Sequence, residues 1–194
     1  ASDAELQEVS RQALNLAQTL GVDVNEATRS VANMMRTGLV GSATEAMDLL
    51  ISGAQLGADE YGDLADTMQE YSTQFRDLGL TGAEAMGLIV QGMEAGAQSS
   101  DKVADALKEL NIRVTGLEGP AVEALDELGL NAEKMASAFA VGGPKAREAL
   151  DQILDGLEKV EDPALRDQLA MDLLGTQAED MADALYNLDL DTAA

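Results

Sequence analysis

Apolar residues recur along this chain at spacings of three and four almost from end to end. On that spacing Leu6, Val9, Ala13, Leu16 and Leu20 share one face of a helix. The same holds for Met47, Leu50, Ile51 and Ala54, and then for Tyr61, Leu64, Met68, Tyr71 and Phe75. Further on come Met86, Ile89, Val90 and Met93, and later Leu150, Ile153, Leu154 and Leu157. Strand-like alternation is confined to Ile112-Arg113-Val114-Thr115, the one candidate for a minor β-like hairpin. The pattern predicts an all-α chain of about ten short helices, folded as stacked αα-hairpins into a compact domain.

The stops between helices are written in glycine. Leu20-Gly21-Val22-Asp23, Leu78-Gly79-Leu80-Thr81 and Leu128-Gly129-Leu130-Asn131 share one design. A glycine takes the left-handed conformation that ends a helix, and the next apolar residue folds back onto the last turn. A polar side chain then caps the following helix. Asp23, Ser42, Thr81, Asn131 and Thr176 are the expected caps. Four of them are followed three residues later by a carboxylate (Glu26, Glu45, Glu84, Glu179), the spacing of a capping box. All three prolines, Pro120, Pro144 and Pro163, suit the first turn of a helix, where a missing N–H costs nothing.

A repeat runs through the first half at an offset of 39 residues. Glu45-Ala46-Met47 returns as Glu84-Ala85-Met86, and Gly53-x-x-x-Gly57-Ala58 as Gly92-x-x-x-Gly96-Ala97. Between 45–71 and 84–110, ten of 27 positions are identical, enough to read each window as one helix–turn–helix unit. Two copies predict two stacked hairpins in one domain rather than a solenoid, which needs three or more. The paired glycines match a pattern that lets helices approach closely in membranes. Here Gln55 and Glu94 interrupt the apolar stretch, so helix ends or close packing in water is the expected role. The organisation expected is an initial helix (1–20) continuing from an upstream helical region, a repeated hairpin subdomain (21–115), and a C-terminal helical subdomain (116–194).

Composition changes this picture by subtraction. The 194 residues carry a formal charge of −24 and include no His, Cys or Trp. A Cys or Ser–His nucleophile, a His-bearing metal site and a disulfide framework are therefore excluded. No Lys/Arg cluster is present to grip nucleic acid or an anionic membrane, and the apolar runs are far shorter than a membrane span. Gly142-Gly143-Pro144-Lys145 has the look of an anion loop at a helix start. It lacks the longer glycine spacing and the Ser/Thr after Lys of a phosphate loop, since Ala146 follows, and reads as a turn. Glu118, Glu123 and Glu127 offer a notional acid/base pair and Asp189/Asp191 a notional calcium contact. Neither stretch has an EF-hand pattern, and solvated helix faces account for both. No cofactor, metal or catalytic residue is expected, so the chain is not read as an enzyme. Nine Met beside few aromatics predict an adaptable Ala/Leu/Met core, whose functional alternative is a domain that rearranges in use. Starting at Ala1-Ser2-Asp3-Ala4, without Met or a signal sequence, the chain reads as a piece of a longer protein.

Several ordered stretches bear a family resemblance. The run from Leu20 to Leu39, LGVDVNEATRSVANMMRTGL, resembles phage tail tape measure proteins, the family also called phage-related minor tail proteins. So do Ala46-Met-Asp-Leu-Leu50, Asp101-Lys-Val-Ala-Asp-Ala-Leu-Lys-Glu109 and Leu173-Leu-Gly-Thr-Gln-Ala-Glu-Asp180, in the family's order across roughly residues 5–190. Leu174 stands where many relatives have Phe. The resemblance implies a virion component in the lumen or tip of a phage tail, and in the host cytoplasm during assembly. It implies roles in tail assembly, length determination and genome ejection. The implied partners are tail tube, tail tip and tail assembly chaperone proteins, with further copies of the chain itself. No lytic motif of the family is matched, and no catalytic residue carries over. The alternatives are a stand-alone helical interaction or chaperone-like module and, more remotely, a carboxylate-based cell-wall hydrolase.

Overall fold

A computed structural model of the chain describes residues 3–181 and 184–193, with side chains from Ser10 onward. Leu6 and Val9 thus lie in a described helix, but their side chains fall outside the described residues. Among the described residues eleven α-helices follow one another: α1 (Asp3–Leu20), α2 (Val24–Thr37), α3 (Ala43–Gln55), α4 (Leu64–Asp77), α5 (Gly82–Glu94), α6 (Ser100–Thr115), α7 (Gly119–Glu127), α8 (Ala132–Val141), α9 (Pro144–Glu158), α10 (Pro163–Leu174) and α11 (Gln177–Met181). A 3₁₀ turn at Ala184–Asn187 ends the series, and no strand occurs among the described residues.

Residues 112–115 correct the expectation of a β-like hairpin: they are the last four residues of α6. Four alternating residues are too few to outvote the longer helical period in which they sit. Val114 is fully buried on the face that also carries Val103, Leu107 and Leu110, whereas Ile112 is 51% exposed. Two strand residues on one face would share the same burial. An i,i+4 ion pair between Arg113 Nε and Glu109 Oε1 at 2.8 Å adds support along the helix.

The 39-residue repeat is also a repeat of structure. α3 and α5 begin and end 39 residues apart, at Ala43–Gln55 and Gly82–Glu94. Their C-terminal turns close with equivalent bonds, Ala58 N to Gly53 O and Ala97 N to Gly92 O, both 2.9 Å. In the following helices Leu64, Met68, Tyr71 and Phe75 correspond to Val103, Leu107, Leu110 and Val114, and all eight are buried. These faces meet, α4 packing between α2 and α6, while α1 packs on α3. Later helices extend the layer through α6, which touches α8, α10 and α11 as well. One apolar cluster runs from Ala13 to Ala193, with Leu and Ala supplying most of it and seven buried Met filling gaps.

Candidate functional site

The helix ends close through glycine turns and polar caps. Gly21, Gly79 and Gly129 have φ of +68°, +78° and +73°. The following Val22, Leu80 and Leu130 donate back to Ala17, Phe75 and Leu125 at 3.1, 3.0 and 2.8 Å, closing each helix end. Asp23 accepts from the N–H groups of Asn25 and Glu26, Ser42 from Glu45, and Asn131 from Lys134. Thr81 and Glu84 form a reciprocal capping box. At Ser42 the return bond from Glu45 goes instead to the Gly41 N–H. Thr176 accepts from the Glu179 N–H through its carbonyl. Pro144 and Pro163 open α9 and α10, and Pro120 is the second residue of α7.

The paired glycines divide two roles between them. Gly53 and Gly92 lie inside helices, where a Cβ would come within 2.2 Å of Met86 Sδ and 2.6 Å of Val103 Cγ2. Gly57 and Gly96, at φ +93° and +100°, are the turns that follow. The Gly142-Gly143 corner is a packing element: a Cβ on Gly79 would meet the Gly143 carbonyl oxygen at 2.0 Å. The α4–α5 turn and the α8–α9 turn thus touch backbone to backbone.

Other tethers had no local signal. Arg147 Nε donates to Glu84 Oε1 at 2.6 Å, tying α9 to α5 across 63 residues. Burial pushes the Glu84 carboxyl up, but the Thr81 N–H, Arg147 and the Thr81 hydroxyl outweigh it and hold it below its ordinary value. Asp151 on α9 is pushed up by burial and then by Asp191 and Asp155. The segment after the 3₁₀ turn straps across α5: Gln91 donates to Asp189 O and accepts from Asp189 N, both at 2.9 Å. Gly87 leaves room for that strap, since a Cβ there would lie 1.7 Å from Ala193 O.

The carboxylates singled out for chemistry do not converge. Glu118 pairs with Arg113 at 3.1 Å, while Glu123 and Glu127 point to solvent from α7. Asp189 spends both oxygens on its own turn, accepting from Asp191 N at 2.8 Å and the Thr192 hydroxyl at 2.9 Å. Among the described residues, no group of three or more Asp or Glu is arranged to hold a metal ion, and no helix is long and apolar enough to cross a membrane. Shallow open grooves also mark the surface. One of about 490 Å³ between α3 and α5 is lined by Leu49, Leu56, Met86 and Val90. Another of about 440 Å³ between α2 and α4 is lined by Arg29, Ala32, Asn33, Arg36 and Gln69.

Helix faces, tight glycine junctions and shallow grooves define an all-α packing domain. Comparison with known proteins gives that class its family. Residues 1–175 match the family described as phage-related minor tail protein, and the chain belongs to it. It is 50% identical over 182 residues, 94% of the chain, to the "Probable tape measure protein" of Streptomyces phage phiC31. It is also 38% identical over 190 residues, 97% of the chain, to the "Uncharacterized protein YqbO" of Bacillus subtilis (strain 168). The chain spans 25% and 12% of the lengths of these two relatives. No solved structure matches it.

Proposed function

We propose that the chain is a folded helical domain of a tape measure protein, acting as a non-enzymatic structural part of the phage tail. Its work is docking: it holds tail tube, tail tip or assembly chaperone proteins against its helix faces during assembly in the host cytoplasm. In the virion it stays in the tail until the genome is ejected. The observation that carries this reading is the set of closed helix ends. As one continuous helix, 194 residues would span about 290 Å at 1.5 Å each, the form of a molecular ruler. The longest helix is instead α1, at 18 residues, and glycine or proline junctions fold the rest back on one shared core. The same junctions support the proposed division at residues 20 and 115, where helices turn at Gly21 and Gly116–Leu117.

The test is an in-frame deletion of residues 21–190 in the parent phage, read by electron microscopy of tails and by infectivity. Tails of unchanged length with lost infectivity, or no tails at all, are expected of a docking domain. Tails shortened by up to about 250 Å (170 residues at 1.5 Å each) would mean the segment is paid out as ruler.

A further inference from the structure

Charge is unevenly shared among these helices. α2 is the one described helix in which basic residues outnumber acidic ones, Arg29 and Arg36 against Glu26, in a chain of net charge −24. Neither arginine meets a carboxylate among the described residues: Arg29 donates to Asn25 O and Arg36 to Asn33 Oδ1. They stand seven residues apart, about 10.5 Å along the helix, at the two ends of the α2–α4 groove. Between them Ala32 leaves the groove floor open, and Val24 (38%) and Met35 (42%) add exposed apolar surface to the same helix.

The opposite character is found at the corner between α6 and α7. α7 has Glu123, Asp126 and Glu127 exposed and no basic residue. Immediately before it, Leu117 is the one described residue other than glycine with positive φ, at +49°. Gly116, the natural occupant of such a position, sits instead at φ −75°. The helix end is closed one residue late, with Glu118 N donating to Arg113 O at 3.1 Å. A leucine there is strained by its Cβ, and Leu117 is 44% exposed and takes no part in the core. Strain that holds an apolar side chain out in water has no stabilising role inside this fold.

We propose that the α6–α7 corner of one copy docks into the α2–α4 groove of a second copy. Leu117 enters over Ala32, and the carboxylates of α7 face Arg29 and Arg36. Charge complementarity selects this arrangement: the α2–α4 groove is lined by two arginines and no carboxylate, whereas the groove lined by Lys134 and Lys145 also holds Glu133. The contact joins two different surfaces, so each copy keeps one free corner and one free groove, and chains of copies grow by adding to either end. The proposal goes beyond the tail-docking reading, and it is read in solution with no tail present. Failure of the deletion experiment leaves it standing, and its own failure leaves the docking reading standing.

The test uses the 194-residue chain in analytical ultracentrifugation at low and at high salt, with two variants. Leu117→Asn removes the knob while placing a residue that tolerates the left-handed conformation. Arg29→Glu/Arg36→Glu reverses the groove. The wild type is expected to self-associate at low salt into a ladder of species that salt dissolves. Each variant alone is expected to self-associate at least about tenfold more weakly, with unchanged circular dichroism. Mixed together, the two variants supply one intact corner and one intact groove, and are expected to form a dimer and nothing larger. A wild type that stays monomeric at low salt, a variant that associates as well as the wild type, or a mixture that stays monomeric would overturn the proposal.

Discussion

Placing a methyl group on either of two glycines separates the cost of a left-handed turn from the cost of a tertiary contact. Gly79 and Gly129 have nearly the same φ, +78° and +73°, and end α4 and α7 with the same back-bonded leucine. An L residue in that conformation costs roughly 1–2 kcal/mol. Loss of freedom in the unfolded chain returns roughly 0.4–1 kcal/mol. Gly129→Ala meets no atom within 4 Å, so it is expected to destabilise by about 1 kcal/mol. Gly79→Ala adds a contact of 2.0 Å with the Gly143 carbonyl oxygen, and the Gly143 Cα is only 3.1 Å away. Both partners are backbone, so relief means separating the α4–α5 turn from the α8–α9 turn by more than 1 Å, which disturbs the packing around Leu78 and Phe139. Overpacking of that kind adds roughly 1–3 kcal/mol. Gly79→Ala should therefore lose about 3 kcal/mol in total by urea denaturation, with the m-value unchanged. Equal losses in the two variants would refute the backbone contact between the turns.

Further predictions rest on other parts of the fold. Because hydrogen bonds hold the folded Glu84 carboxyl below its unfolded value, its contribution is present above the unfolded pKa and is lost as pH falls through the folded one. Arg147→Ala should cost about 2 kcal/mol at pH 7, and a thermal melt series should show that deficit shrinking on acidification. Asp151 is the reverse case: burial and then Asp191 raise its folded pKa, which penalises the fold above that value and not below the unfolded one. Asp151→Asn should raise the melting temperature at pH 7 and leave it unchanged at pH 3. For the end of α6, Val114→Ala should cost about 2 kcal/mol and Ile112→Ala under about 0.5 kcal/mol, whereas similar losses at both would restore a strand there.

Much of this fold was legible because its signals are local. Gly21, Gly79 and Gly129 each sit between the apolar residues that clasp around them, and Thr81 stands three residues before Glu84, so a short window reveals the junction. The repeat was legible because it duplicates whole helices. Local windows also misled. Residues 112–115 alternate over four positions while belonging to a sixteen-residue helix. Thr37-Gly38-Leu39 repeats the stop design, with Leu39 N bonded to Met34 O at 3.0 Å, and was readable by the same rule. What joins distant segments had no sequence signal: Glu84 with Arg147, Gly79 with Gly143, and Gln91 with Asp189 are fixed only when helices meet. The α2–α4 groove belongs to that group, since Gln69 lines it beside Arg29 and Arg36 only once α4 packs on α2.

Whether this segment remains folded in the assembled tail is read directly by a cross-link. The hydroxyl oxygens of Thr67 on α4 and Ser100 on α6 are buried 3.0 Å apart, and the segment has no cysteine of its own. Phage carrying Thr67→Cys and Ser100→Cys would be purified, oxidised as intact particles, and digested for mass spectrometry beside the oxidised isolated domain. The 67–100 disulfide-linked peptide is expected in both samples. Its presence in the isolated domain and absence from the virions would mean that α4 and α6 part when the tail is built, and that the segment is no folded domain there.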